Sequence, residues 1–597
     1  MPPKPRQAKG KAASADTGAG VAKSAKTAKA KATTEATKPT KAAKPAPAPK
    51  AAKDTKPAKK AAAPKAAAPK PAPKAKSAPK AKAAPKEKPA SNKRKLEDED
   101  EGEESNEQAE DVRPAKRTKA EAKAASPPPK RQKVEKALPV INTAPVRVLE
   151  VFAFGNGENG ELGLGPSKTE TTVPKRNLFL DPRDPAKYHV VQLDCGGMHT
   201  IALTKDNKLV TWGVNDKGAL GRDTAWDGGL RDADASGSDS DSEDGDLNPK
   251  ESTPNEIPAS AFPEGTTFVQ VSAGDSCSFA LTDTGLVYGW GTFINSEGKE
   301  CFGYDAKGEK IQVQTTPMLI PGLTNITQIA CGANHIVTLA KDGKIFAWGV
   351  GEQNQLGRRV LSRRRDESFK PTRVEAARSK ATYIASGPFH SFAVDDKGDA
   401  WAWGLNSFGQ AGYAKTAGTD EPVVPYPMRI EGLRGKGVTS LDGGAHHSAA
   451  VTKDGKHFAW GRLDGGQLGI KFSDEQLKDE ELVRRDENDR PRICLVPTEV
   501  PNTGKAAAIA CGTDHTLFIN EEGLVFTSGF GTMGQLGLGT YDDAHEATEL
   551  PKKPCGGRHF VWGGAGGQYS TIAAPADLMP PPKSAVNGTP AVNGVKE

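Results

Sequence analysis

Aromatic residues make up only 6% of this 597-residue sequence, and the first 90 residues contain none. A segment built almost wholly of Lys, Ala, Pro, Ser and Thr cannot bury enough apolar surface to offset the entropy of ordering, so residues 1–140 read as a disordered tail. No run of about 18 apolar residues is present to span a membrane, and the N-terminus lacks the apolar stretch of a secretory signal. The expectation is a soluble intracellular protein with no membrane partner. The seven cysteines show neither metal-ligand nor disulfide-framework spacing; Cys195, Cys331 and Cys511 share one repeat position and read as small buried filler in a reducing compartment. The sequence has no G-x-x-x-x-G-K-[ST] loop, which excludes a P-loop nucleotide hydrolase. No Ser or Cys is marked as a nucleophile by its context, and no cluster calls for a metal or another cofactor. Any catalysis expected of this chain is therefore non-covalent.

Acidic residues are scarce where basic ones abound. Residues 1–90 carry 24 Lys or Arg against 4 Asp or Glu, which leaves 58 against 71 for the rest. The formal charge of +7 thus divides into an arm of +20 and a body of −13. A Lys-rich, Pro-punctuated arm neutralises phosphates and releases counterions, giving sequence-independent, salt-sensitive attachment to DNA. Beyond it, Lys93, Arg94 and Lys95 and then Lys116 and Arg117 flank an acidic spacer, while Lys130, Arg131 and Lys133 follow a Pro run. These clusters resemble bipartite and single nuclear-import signals. The chain is accordingly expected in the nucleus, with a nuclear import receptor among its partners.

Glycine is plentiful, and it recurs in register. The stretch from Cys195 to Arg222 has counterparts until almost the end of the chain, with the Gly of its Trp-Gly pair matched by Gly155, Gly213, Gly291, Gly349, Gly404, Gly461 and Gly529. The spacings of 58, 78, 58, 55, 57 and 68 residues denote repeated units carrying insertions. In each unit a Gly-rich start leads into an apolar run, a turn such as Asp206-Asn207 or Asp342-Gly343, and a second run ending at the aromatic-Gly pair. That order reads as a β-hairpin. The ensuing Gly-Gln-Leu-Gly segments read as tight turns with a buried Leu. Opening halves begin at Cys195, Ala273, Cys331, Ser386, Gly443, Cys511 and Gly563, seven to match seven closing halves. The first unit has only a closing half and the last only an opening half, so each supplies what the other lacks. Residues 145–575 are therefore expected to form an all-β, seven-bladed propeller closed by an N-terminal strand, with no open edge. Residues 223–252 read as a disordered acidic insertion, residues 576–597 as a disordered tail, and residues 471–492 as a charged loop with some helix.

The unit length, the Gly-Gly-x-His then Trp-Gly order, the Gly-Gln-Leu-Gly turns and the complementary ends resemble the regulator of chromosome condensation family over about residues 145–575. The resemblance implies a monomeric propeller resident on chromatin, acting as a guanine-nucleotide exchange factor for a Ran-type small GTPase in nucleocytoplasmic transport and mitosis. Three features pull toward the exchange factors of that family: GGMHTIAL with NDKGALGRD in the second blade, SAGDS in the third, and the extra segment after Gly291. The alternative is a chromatin-bound propeller scaffold without exchange activity.

The His residues mostly hold one repeat position, so a repeated hydrogen-bonding role is their default. Departures from the repeat are more informative. Ahead of that His, the units offer Asp275, Asn334, Phe389, His446 and Asp514, on loops of one face. The resemblance implies that Asp275, Asn334, His446 and His447 carry exchange and that Glu158 and Asp514 touch the GTPase; Asn334 stands where the family has Asp. The segment Phe293 to Gln314 replaces a short turn and reads as a projecting hairpin. It resembles the family's β-wedge, which would press Phe293, Asn295, Ser296, Glu297, Gly298 and Lys299 against the nucleotide-binding region of the GTPase. After the fourth blade's turn, Arg358, Arg359, Arg363, Arg364 and Arg365 resemble in position the family's switchback loop, which contacts the acidic surface of the nucleosome. The guanidinium fork suits carboxylates. Nucleosome and DNA are thus expected partners beside the GTPase.

Overall fold

A computed structural model describes residues 138–227, 247–375 and 379–578; the basic arm, the import clusters, the centre of the acidic insertion and the C-terminal tail lie outside these residues. Seven antiparallel sheets form the blades. Blade two, for example, runs from inner to outer strand as Val190–Cys195, His199–Thr204, Leu209–Gly213 and Asn255–Glu256. The hairpin turns fall where expected, with Asn207 at φ 63° and Gly285, Gly343, Gly398, Gly455 and Gly523 between φ 74° and 82°. The Leu residues of the Gly-Gln-Leu-Gly turns are buried.

Closure uses the chain ends, as the half-units require. Tyr569–Pro575 pairs with Leu149–Asn156 from Gly155 opposite Tyr569 to Leu149 opposite Pro575. The N-terminus contributes two strands, because Glu170–Arg176 continues the same sheet outward. The buried Glu150 carboxylate of the first strand is clamped by Arg558 and by Arg176, the latter at 3.3 Å.

Apolar side chains do not meet at the ring's centre. Seven main clusters form, one between each pair of adjacent blades, with two smaller ones beside the turns, and the inner strands surround a polar channel lined by groups such as Gln192, Asp194, Ser272 and Asp442.

A polar relay between blades accounts for the repeat. His199, His335, His390, His447 and His515 are fully buried, and each Nε2 donates over 2.8 Å to a hydroxyl of the next blade: Ser278, Ser391, Ser448, Thr516 and Ser570 respectively. Each hydroxyl in turn donates to a carbonyl in the preceding blade's Gly-rich turn, that of Ala219, Gln355, Gln410, Gln467 or Gln535, the residue before Leu in every case but Gln410, which precedes Ala411. Trp290, Trp403 and Trp460 donate their indole N–H to the same carbonyls in their respective blades. One set of side chains thus requires His, Ser or Thr, Trp and the turn together. Cys277 takes the His position in blade three, and in blade one Tyr569 takes it and donates to the carbonyl of His199 at 2.7 Å. The Gly after Trp is needed for a different reason. Gly213 has φ 103°, and a Cβ there would lie 2.4 Å from the Met198 carbonyl, an approach only Gly permits.

Two expectations need correction. Residues 223–227 and 247–252 are ordered: Asn248 Nδ2 donates to the Thr224 carbonyl, Thr224 Oγ1 donates to Glu251, and a short helix spans Pro249–Ser252. Residues 471–492 contain only a short 3-10 turn, Gln476–Lys478, and then Val483–Arg485 adds a fifth strand to blade six by pairing with Pro491–Glu499.

Candidate functional site

The second strand of each blade begins where the third ends, with Cys277 opposite Gly291, His335 opposite Gly349 and His447 opposite Gly461. Residues ahead of the relay His and residues after the Trp-Gly pair therefore share one face. The hairpin turns lie on the other. Residues 141–142 cross that other face, where the Ile141 N–H bonds to the Asp283 carbonyl and Asn142 Nδ2 bonds to the carbonyls of Thr282 and Ile326.

Met198, Ser276, Asn334, Phe389, His446, Asp514 and Gln568 directly precede the relay position. Asp275 lies one residue earlier, level with Gly197 and Ala333, so it stands one position ahead of the place that Asn334, Phe389, His446 and Asp514 occupy. It is exposed at the channel mouth. Asn334 is its neighbour and does two things: Nδ2 donates to Asp275 Oδ2 at 3.5 Å, and Oδ1 accepts the Ile294 N–H at 2.7 Å. Asn at 334 therefore ties the channel-mouth carboxylate to the root of the inserted segment.

That segment is two hairpins rather than one. Ile294 bridges Glu300 across a tip in which Asn295 Oδ1 accepts the N–H groups of Glu297 and Lys299, and Gly298 turns the chain at φ 74°. Ser296 to Lys299 are exposed. The second hairpin pairs Gly303–Tyr304 with Lys310–Ile311. Between them Phe302 stacks on Phe279 and Phe293 at 6.0 and 6.1 Å. Phe293 is fully buried, so it anchors the segment and is not open to a partner; alternation could not reveal which way its ring points.

The relay likewise removes His447 from the set of exposed groups. Its ring is buried and bonded to Thr516, and burial pushes its pKa down to about 3. His446 is half-buried on the candidate face, its ring edge-on to Phe408 at 4.7 Å, and burial lowers its pKa below the usual imidazole value. Asp514 lies 3.8 Å from Arg462. Glu158 is exposed on the turn after Gly155, on this same face.

Of the five arginines after the blade-four turn, Arg358 points inward and donates to the carbonyls of Ala347 and Leu356, as Arg222 does to Thr211 in blade two. It is a blade-closing residue. Arg359, Arg363, Arg364 and Arg365 are exposed. Their loop leans on the inserted hairpins: Arg365 reaches Glu297 at 3.2 Å, Asp366 reaches Lys310 at 2.8 Å, and Lys370 sits 4.2 Å above the Tyr304 ring. No group of His, Cys, Asp and Glu able to hold a metal ion occurs among the described residues.

Comparison with known proteins matches the RCC1-like domain model to residues 150–572. The chain is 39% identical over 434 residues to "Guanine nucleotide exchange factor SRM1" of Saccharomyces cerevisiae, covering 71% of this chain and 87% of that protein. Among solved structures it resembles Saccharomyces cerevisiae Prp20p, described with its binding properties to Gsp1p and histones, at TM-score 0.64 and 36% identity over 72% of this chain and 92% of that one. It also resembles yeast RCC1 (Prp20) bound to Kap60, at TM-score 0.64 and 34% identity over 77% and 96% of the two chains.

Proposed function

Because this chain belongs to the RCC1-like family, we propose that it is a guanine-nucleotide exchange factor for a Ran-type small GTPase, acting in the nucleus on chromatin. The observation that carries the reading is the exposed wedge tip rooted at the channel mouth through Asn334 and Asp275. Relatives named as exchange factors favour it over a scaffold without exchange activity. Asp275, Asn334 and His446 would form the exchange-active rim, with Glu158, Asp514 and Asn295 to Lys299 as further GTPase contacts. Exchange requires no bond chemistry. If rim and wedge bind the nucleotide-free GTPase better than the loaded one, exchanger and nucleotide weaken each other's binding by the same factor. A 10⁵-fold faster release corresponds to roughly 7 kcal/mol of transition-state stabilisation. Direction follows the surrounding ratio of GTP to GDP.

Chromatin attachment would use the basic arm on DNA and Arg359 with Arg363 to Arg365 on an acidic protein surface, two linked contacts that raise avidity. The relative described with histones supports the second contact, and the one bound to Kap60 supports an import receptor reading the basic clusters. The body would act as a monomer.

Release of fluorescent GDP from the GTPase is expected to accelerate severalfold or more with micromolar full-length protein; an unchanged rate would refute the exchange reading. Asn334→Ala is expected to lower kcat about 10-fold, about 1.4 kcal/mol, by leaving the Ile294 N–H unpaired and Asp275 untethered. Asn334→Asp keeps the acceptor for Ile294 and is expected to lose less than about threefold. Equal rates for Asn334→Ala and the parent would show that the wedge root needs no such tie.

A further inference from the structure

The fifth strand of blade six has a positional effect that the charge pattern of residues 471–492 does not reveal. It carries the chain back until the Arg492 carbonyl accepts the Leu463 N–H at 3.0 Å, directly after the Trp460-Gly461 pair and so on the face that bears the wedge. Ile493 and Leu495 pack with Ala417 against Phe408 and Ala414 to hold it there. Two guanidinium groups stack at Phe408: Arg492 lies 5.0 Å and Arg462 5.5 Å from the ring centroid, and the His446 ring meets the same Phe.

The two arginines are not equivalent. Arg462 is neutralised, with Asp464 at 2.6 Å and Asp514 at 3.8 Å. Arg492 is exposed and, among the described residues, has no carboxylate within ion-pair distance. Stacking fixes the plane of a guanidinium while leaving its N–H edge open, the arrangement that receives a carboxylate through two parallel bonds. Blade six is three blades from blade three, the greatest separation a ring of seven allows.

Building on the exchange reading above, we infer that Phe408 and Arg492 form a second foothold for the GTPase, which receives an acidic side chain of the partner on the far side of the channel from the wedge. A group gripping one end of the partner while the wedge works at the other binds loaded and empty GTPase alike. It therefore sets KM and leaves kcat to the wedge.

The test uses the full-length chain, with initial GDP-release rates measured against GTPase concentration and the affinity for nucleotide-free GTPase measured by calorimetry. Arg492→Glu is expected to raise KM and weaken that affinity at least 10-fold, with kcat within twofold and an unchanged melting temperature. Arg492→Lys, which keeps the charge but not the fork, is expected to fall between. Lys478→Glu makes the same change of net charge at an exposed position of the same insertion and is expected to match the parent. An unchanged KM in Arg492→Glu, or a loss confined to kcat, would overturn the foothold while leaving exchange intact. Weakened DNA binding with normal exchange kinetics would instead identify a nucleic-acid contact and overturn it equally. A parent protein that accelerates nothing would remove the exchange reading and the foothold with it.

Discussion

Acidification from about pH 7.5 to about pH 5 is expected to unfold the propeller, with a midpoint between about 4.5 and 5.5. Burial pushes the imidazoles of His335, His390 and His447 down to about 3 and those of His199, His457 and His515 down to about 4. In the relay the Nε2 proton is already committed to a hydroxyl, and Nδ1 is buried without a partner. An unfolded chain protonates all six near 6.5 while the folded one does not, so the stability these groups contribute is complete above 6.5 and is lost as pH falls toward 4.

Two channel carboxylates act in the opposite sense. Burial raises Asp194 to about 6 and Asp442 to about 7, so between about 4 and 6 the folded state holds two protons that the unfolded state has released. Burial also raises Glu161, Glu251 and Asp275, so six imidazoles against these carboxylates leave about two to four protons taken up on unfolding, or roughly 3–5 kcal/mol per pH unit. An ordinary domain has about 5–15 kcal/mol to lose, so the imidazoles win within one to two units. Melting by circular dichroism across this range checks the midpoint, and His390→Gln should make the decline shallower by about one proton. A melting temperature constant from about pH 7.5 to about pH 5 would contradict the relay's neutral state.

Removing the wedge tip should have the largest effect on function. Ile294 and Glu300 are bridged as antiparallel partners, so replacing Asn295 to Lys299 with Gly-Gly leaves a two-residue loop that the pair can close. A Cβ at Gly298 would meet nothing within 4 Å, which shows how little the tip supports the fold. Exchange is expected to fall at least about 100-fold, about 2.7 kcal/mol, chiefly in kcat, with stability unchanged. A broader deletion from Ser296 to Lys310 would be a poor test, because it removes the buried Phe302 at a cost of about 3–5 kcal/mol to the fold. Near-parental exchange by the Gly-Gly variant would show that the rim works without a wedge.

The architecture was legible because the relay position recurs seven times along the chain, five times as His, and even its exceptions, Cys277 and Tyr569, stand in register. Direction was not legible. Phe293, His447 and Arg358 each sit in a stretch that does reach the surface, yet each points inward, and one-residue differences in loop register decide that. Asp275 shows the same limit, since blade three places its acid one residue before the position that aligns with Asn334. The foothold at Arg492 was out of reach because it depends on the three-residue strand Val483–Arg485, too short to show alternation, pairing with Pro491–Glu499. A run of charges with an Arg at its end gives no sign of the distant Phe408 that orients it.

The shared blade at the chain's ends constrains how the protein can be made. Leu149–Asn156 emerges from the ribosome early, but its partner Tyr569–Pro575 follows only after some 400 further residues, about 20–80 s at ordinary rates of synthesis. Throughout that interval one edge of Leu149–Asn156 stays unpaired, the edge that Tyr569–Pro575 will occupy. A message truncated before codon 562 would yield a product in which that edge of Leu149–Asn156 lacks its partner strand and is open to pairing with another chain.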